Sequence, residues 1–299
     1  ETFRPRGVNY VDFRRVSPGF EEDRPLATNS FDEARITEAF QLLRAYGYDT
    51  IRLFFDHCNE GRECLTSQGR IGLNPAYMDN FAAFTRIAAA NDIYILFTSN
   101  DIPDYGGYGE LANRDAGPMA GGYRNAHFMT AGGVEAFEAY WTDLMAALAA
   151  RDTAWEAVLG WSLLNEQWIF KKDPPWSLSE GQFVNGTGQS YDLSDPEEKR
   201  AALSDNLTLI IERVSGIIKA TDPEALVTMG FFAPQFPNQT SIGGDWYVDT
   251  EPLLAGSVLD FYDFHAYTDT DLGVQGQAEN FGMPEHRDKV VIMGEVGAS

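Results

Sequence analysis

Long hydrophobic runs are missing from this chain, and none approaches the roughly eighteen residues that cross a bilayer as a helix. Positive charge is scarce: 22 Lys and Arg stand against 45 Asp and Glu, a formal net charge of −23. Such a surface repels nucleic acid and anionic membrane, so neither is expected as a partner, whereas a neutral ligand meets no such repulsion. Cysteine is nearly absent. Cys58 and Cys64, in Cys-Asn-Glu-Gly-Arg-Glu-Cys, fit either a short loop disulfide or two free thiols. The disulfide would suit an extracytoplasmic protein, which is the expected location, although no leader-like stretch opens the chain. Gly-rich phosphate turns are also lacking. After the first strand-like run, Gly7-Val8-Asn9-Tyr10 continues into Val11-Asp12-Phe13, which argues against a nucleotide-binding doubly wound sheet.

What is present is enough for one large domain over 1–299, since 44% of 299 residues are hydrophobic and no repeat, low-complexity tract or linker divides them. Strand-like runs occur at 7–10, 50–55, 94–99, 158–165, 226–232, 261–267 and 290–294. Helical patterns lie between them. Ser30-Phe31-Asp32-Glu33 reads as a capping box before Ile36, Phe40, Leu43 and Tyr46 at helical spacing. Asn74-Pro75 opens a second helix carrying Tyr77, Phe81, Phe84 and Ile87. A third covers 134–150, and a fourth begins at a second capping box, Ser194-Asp195-Pro196-Glu197, and runs to about 220. Weaker helix candidates lie at 249–254 and 284–288. Strands alternating with helices predict an α/β fold, a (β/α)8 TIM barrel whose eighth β/α unit is missing, the chain stopping four residues after Glu295.

Three long polar segments, 100–130, 167–193 and 233–248, follow the third, fourth and fifth strands. They carry Trp168, Phe170, Trp176, Tyr191, Phe236, Trp246 and Tyr247, together with Tyr105, Tyr108 and Tyr123. Aromatic faces suit the C–H faces of pyranose rings, and two or three of these ten are expected to touch a sugar, Trp168 and Trp246 first among them. Asn-x-Thr triplets at Asn185, Asn206 and Asn238 are potential glycan acceptors in a eukaryotic secretory setting.

Two glutamates dominate the chemistry. Glu166 closes Val158-Leu159-Gly160-Trp161-Ser162-Leu163-Leu164-Asn165-Glu166, and Glu295 closes Val290-Val291-Ile292-Met293-Gly294-Glu295. A carboxylate at the end of a buried strand is costly unless it is paired or used, and equivalent strand ends are where a parallel barrel presents reactive groups. Paired carboxylates facing one pocket are the apparatus of glycoside hydrolysis. Strand alternation would turn the neighbours Asn165 and Glu166 to opposite faces, so both reach a pocket only where the chain leaves the ladder. Walls of Trp161 and Trp168 would raise the Glu166 pKa and suit it to donate a proton. Arg52, inside the apolar run Ile51-Arg52-Leu53-Phe54-Phe55, needs an acidic partner, for which Glu295 is the nearest candidate. His265 and Tyr267 share one face of their strand and could orient either glutamate. Singly, each residue also has a plain structural reading: a helix cap, a surface ion pair, a satisfied core histidine.

The runs Gly7-Val8-Asn9-Tyr10, Ile51-Arg52-Leu53, Trp161-Ser162-Leu163-Leu164-Asn165-Glu166, His265-Ala266-Tyr267 and Gly294-Glu295 resemble, in order and strand, those of clan A glycoside hydrolases. The chain is most similar to glycoside hydrolase family five, the cellulase and β-mannanase family, from first strand to seventh. The resemblance implies a retaining enzyme acting on β-mannan, β-glucan or a related glycoside, with no metal or organic cofactor. It implies Glu166 as acid/base, Glu295 as nucleophile, Asn165 at the sugar 2-hydroxyl, Arg52 and Tyr267 steadying Glu295, and His265 lining the site. Two features depart from the family pattern. The usual histidine after strand three is replaced in Phe97-Thr98-Ser99-Asn100-Asp101, so Asn100 or Asp101 substitutes for it, or His127 reaches in; the strand-eight aromatic lies beyond the last residue. Two other expectations compete: a metal-dependent sugar isomerase using Glu166, His265, Glu295 and Asp101, or a non-catalytic carbohydrate-binding barrel.

Overall fold

The computed structural model describes residues 3–17, 20–58, 60–115, 123–231, 245–256, 258–267, 273–282, 286 and 288–297. Seven strand positions run parallel in chain order: β1 Gly7–Asn9, β2 Thr50–Phe54, β3 Tyr94–Thr98, β4 Val158–Ser162, β5 in two segments, Val227–Thr228 and Gly230–Phe231, β6 Phe261–Tyr267 and β7 Val290–Gly297. Each pairs with its successor, from Asn9 opposite Arg52 through Leu96 opposite Gly160 to Gly230 opposite Asp263. Parallel neighbours joined by helical crossovers make this a (β/α) barrel fold. Among the described residues, the outer edges of β1 and β7 pair with no further strand.

The crossover helices are α1 Glu33–Ala45, α2 Pro75–Ala90, α3 Ala131–Ala149, α4 Pro196–Thr221, α5 Glu251–Gly256 and α6 Val274–Asn280. Asn74 caps α2 through its side chain. Both expected capping boxes are displaced, for a local reason. Ser30 Oγ donates to the Arg24 carbonyl at 3.2 Å, leaving Asp32 to accept from the Arg35 amide at 3.1 Å. Ser194 Oγ likewise donates to Asp192, and Asp195 caps α4 through the Glu197 amide at 2.8 Å. Helix α3 begins earlier than the apolar pattern suggests because Thr130 caps it at the Gly133 amide. Helix α6 carries too few apolar residues to be seen in sequence, and the candidate at 284–288 lies largely outside the described residues.

The core lies between the sheet and α2 and α3. Phe81 from α2 and Trp141 from α3 meet Phe55, Phe97 and Trp161, with ring centroids 4.5 Å apart for Phe81 and Phe97 and 4.9 Å for Phe97 and Trp161. Each ring is fully buried, a gain of about 1.5–3 kcal/mol apiece. Trp161 therefore belongs to the helix-facing layer and does not wall Glu166. Outside the barrel, the short ribbon Ile169–Phe170 with Trp246–Tyr247 joins the segments after β4 and β5. Cys58 and Cys64 are disulfide-bonded and close the loop after β2. Two of the three sequons are buried in the fold: Asn185 Nδ2 donates to the Ala202 carbonyl and Asn206 Nδ2 to that of Phe128, which leaves no room for a glycan. Asn238 lies outside the described residues.

One backbone crossing fixes the end of β4. Gly230 donates to the Leu164 carbonyl at 2.9 Å and accepts from the Gln167 amide at 3.2 Å, so the chain through Asn165 and Glu166 presses on it. A Cβ at Gly230 would stand 1.9 Å from the Asn165 oxygen. Gly230→Ala is expected to destabilise the protein by about 1–3 kcal/mol through overpacking. Gly216, in the exposed interior of α4 with nothing within 4 Å of its added Cβ, supplies the control. There an alanine should stabilise by about 0.5–1 kcal/mol. Urea unfolding of both variants checks this, and equal midpoints would contradict the crossing.

Candidate active site

Arg52 enters from β2 with its side chain 4% exposed. Its Nη1 donates to Glu295 Oε1 at 2.6 Å and its Nη2 to Asn165 Oδ1 at 2.7 Å. Asn165 and Glu166 follow the end of β4 at Ser162, where the ladder no longer imposes alternation, and both line the same cleft. Asp263, His265 and Tyr267 share one face of β6. His265 Nδ1 is 2.9 Å from Glu166 Oε1 and 3.7 Å from Glu295 Oε2, so one imidazole bridges the two carboxylates. The Tyr267 hydroxyl donates to Glu295 Oε2. Arg52, Asn165, Glu166, His265, Tyr267 and Glu295 thus form one hydrogen-bonded chain from β2 across β4 to β7.

The electrostatics follow from burial and contact. For Glu295 burial works upward, but charge on His265 and Arg52 and hydrogen bonds from Tyr267 and Arg52 outweigh it, leaving the carboxyl below its ordinary value. The Tyr267 hydroxyl moves the opposite way, raised by burial and by Glu295. Burial disfavours a charged His265, yet Asp263 and Glu166 raise it from 6.5 to about 9. Arg52 Nη2, 3.4 Å from His265 Nε2, would suit a neutral ring accepting there. Asp263 Oδ1 lies 3.7 Å from the same nitrogen, and two carboxylates prevail over one guanidinium.

Beside Glu166 opens a cleft of about 290 Å³ lined by Asn100, Asp101, Arg124, Asn165, Glu166, Trp168 and Trp246. Trp168 is packed between Arg124, whose guanidinium sits 4.0 Å above its ring, and Trp246, with ring centroids 4.9 Å apart. Arg124 also donates to the Trp168 carbonyl at 2.8 Å, to the Glu166 carbonyl at 3.2 Å, and to Asp101. Burial alone would raise the Asp101 carboxyl, but Arg124, and behind it His127, bring it down to about 2. His127 Nδ1 stands 4.0 Å behind Asp101 and does not line the cleft. Of the ten loop aromatics, Trp168 and Trp246 line it. Tyr108 and Tyr191 bond Asp143 and Asp205, and Trp176 stacks on Tyr247, so these pack the loops together. Phe236 and the Tyr123 side chain lie outside the described residues.

Two residues of the site are not legible as such in sequence. Arg124 sits on the short helix Tyr123–Met129, whose seven residues are too few for a spacing to mark it. Asp56, whose carboxyl burial pushes up to about 6, accepts from Ser99 Oγ at 2.7 Å and the Asn100 amide at 2.8 Å, and so fixes where Asn100 points. Asp263 did carry a signal, the shared face with His265 and Tyr267. A metal fits this donor set poorly. Glu166, His265 and Glu295 turn ligand atoms to within 4.8 Å of one another. Both Glu295 oxygens, however, already accept from Arg52 and Tyr267, and the guanidinium would repel a cation. That speaks against the metal-dependent isomerase.

The charge on His265 gives a signed pH dependence. Its pKa is raised on folding, so its stabilisation is complete below about 6.5 and is lost as pH rises through about 9. Wild type should lose on the order of 2–3 kcal/mol between pH 6 and 9.5. His265→Gln should lack that alkaline loss in urea titrations at the two pH values; equal losses in both proteins would contradict the assignment.

No protein-family model and no curated protein sequence matches this chain. Solved structures do. The endo-1,4-β-mannanase of Rhizomucor miehei superposes with a TM-score of 0.62 at 16% identity, over 97% of this chain and 89% of that one. The hyperthermostable endo-1,4-β-D-mannanase of Thermotoga petrophila RKU-1 gives 0.53 at 16% identity, over 88% and 74%. The exo-β-1,4-mannosidase of Opitutaceae bacterium strain TAV5 gives 0.51 at 16% identity, over 90% of this chain and 39% of that chain. At these identities the likeness is one of fold: the chain shares its barrel with β-1,4-mannan-cleaving enzymes.

Proposed function

We propose that this protein is a retaining β-glycosidase acting on a β-linked oligo- or polysaccharide, β-1,4-mannan first and β-glucan next. The observation that carries the reading is the pair of carboxylates joined through a single imidazole, one of which, Glu166, lines the cleft. Their nearest ligand atoms lie within 4.8 Å. Retaining enzymes hold their carboxyls about 5–5.5 Å apart, whereas inverting ones need roughly 6.5–9.5 Å to admit a water. The fold shared with the mannanases and the tryptophans lining the cleft support a sugar substrate.

In the first step Glu295 Oε attacks the anomeric carbon while the proton held by the His265–Glu166 pair passes from Nδ1 through Glu166 to the glycosidic oxygen, and the anomeric C–O bond to the leaving sugar breaks. In the second, water surrenders a proton to Glu166 and attacks the same carbon, releasing the Glu295 carboxylate. Arg52 and Tyr267 keep Glu295 ionised and aimed. Asn165, held by Arg52, is aimed at the sugar 2-hydroxyl. His265 carries charge between the two carboxylates and orients Glu166. Asn100, Asp101, Trp168 and Trp246 bind the sugar on the Glu166 side. The Cys58–Cys64 bridge supports an extracytoplasmic setting. No described helix is long and apolar enough to cross a membrane.

Azide rescue of aryl β-glycoside cleavage separates the two roles. Glu166→Ala still forms the glycosyl-enzyme, so azide should intercept it and yield the β-glycosyl azide after two inversions. In Glu295→Ala azide must attack directly, giving the α-glycosyl azide after one. Without azide, Glu295→Ala should fall by at least about 10⁴-fold in kcat. Substantial residual turnover in that variant, or the same azide anomer from both, would refute the assignment.

A further inference from the structure

Glu295 reaches the site only because β7 carries one residue too many. Opposed residues on paired strands turn their side chains to the same face. Between β6 and β7 the register runs Asp263 with Ile292 and Phe264 with Met293, then shifts, so that His265 faces Glu295 and Ala266 faces Val296. Gly294 is the extra residue of a β-bulge. Without it Gly294 would sit opposite His265 and Glu295 opposite Ala266, whose side chain points away from the cleft face. A one-residue slip would thus carry the carboxylate to the wrong side of the sheet.

We propose that Asp263 is the positioning residue that holds this bulge and thereby turns Glu295 toward His265, Arg52 and Tyr267; this rests on the reading of Glu295 as nucleophile. Asp263 is fully buried, and its Oδ1 accepts from the Gly294 amide at 3.0 Å. That is the amide a bulge leaves without a ladder partner, and a half-buried amide facing a buried carboxylate finds one in it. The carboxylate fills the space above the glycine so closely that a Cβ on Gly294 would stand 2.1 Å from Oδ1. Gly294 is therefore required by contact, and Asp263 and Gly294 specify each other. Among the described residues the second oxygen, Oδ2, has no hydrogen-bond partner, and it lies 4.0 Å from Arg52 Nε, which has none there either. The same carboxylate therefore faces, from beneath, the guanidinium that grips Glu295 from the side. None of these contacts touches the cleft, so Asp263 acts through Glu295 and, by its charge 3.7 Å from Nε2, through His265.

Crystal structures and kinetics of Asp263→Asn and Asp263→Ala test this. The asparagine keeps an oxygen for the Gly294 amide, whereas the alanine removes it. Asp263→Ala should lose the shift at His265, so that Glu295 leaves Arg52. Its kcat should then fall by at least about 100-fold with KM nearly unchanged, as expected for a displaced reacting group. Asp263→Asn should keep the bulge and Glu295 on Arg52 and lose clearly less kcat than Asp263→Ala, its remaining loss coming from the charge removed beside His265. If Asp263→Ala does not fold, Gly294→Ala replaces it, because the added methyl must drive the Asp263 carboxylate away and open the same bulge. The proposal is overturned if Glu295 stays on Arg52 in Asp263→Ala or Gly294→Ala, or if Asp263→Asn is as impaired as Asp263→Ala. The crystallographic comparison needs no turnover. A wild type that cleaves no β-glycoside would defeat the proposed function, while the position of Glu295 in the variants would still decide the role of Asp263.

Discussion

Arg52 carries its charge into the interior of the sheet with 4% of its side chain exposed, and a guanidinium there must be matched by oxygen. Its three acidic or carbonyl neighbours come from β7, from the chain leaving β4 and from β6: Glu295 at 2.6 Å, Asn165 at 2.7 Å and Asp263 at 4.0 Å. Removing one partner of a buried pair typically costs about 3–5 kcal/mol, because the other is left charged and unpaired. The ion pair thus ties β2 to β7 and to the chain leaving β4. It also holds the Glu295 carboxyl below its ordinary value in a place where burial works to raise it.

Close backbone contacts decide which residues can share that charge. Gly230 lets the segment carrying Asn165 and Glu166 lie against β5. Gly294 lets the Asp263 carboxylate reach the β7 backbone and turn Glu295 inward. Neither glycine has a positive φ, so both serve by having no side chain. On the far side of Glu166, Arg124 ties Asp101, the Glu166 and Trp168 carbonyls and the Trp168 ring into one wall. The two walls meet at Glu166.

Barrel strands are legible in the sequence because they are short apolar runs at a regular rhythm, and only their ends differ from expectation. Strand β4 ends at Ser162, since the Ser162 hydroxyl turns back to the Leu164 carbonyl and the chain leaves the ladder there. The short ribbons at Gln182–Val184 and Ile169–Phe170 are not legible, because two or three residues carry no periodicity. Arg52, Asn165, Glu166, His265, Tyr267 and Glu295 stand out together because polar residues within or closing apolar runs need partners, although β7 is half-exposed and runs two residues past Glu295. Trp161 misleads for a related reason. Nearness to Glu166 in sequence says nothing of which face it takes, and alternation sends its ring among Phe81, Phe97 and Trp141. Arg124 and Asp56 act through contacts made across the fold, which local pattern does not encode.

The central claim is that Glu295, aimed by the buried guanidinium, forms the covalent bond. Mass mapping of the protein after incubation with an activated 2-deoxy-2-fluoro-β-glycoside tests it most directly, because the fluorine slows release of the glycosyl-enzyme more than its formation. The account predicts one added sugar on the peptide containing Glu295, and none in Glu295→Gln. An adduct on Glu166 or elsewhere, or none from a protein that hydrolyses the parent glycoside, would contradict it.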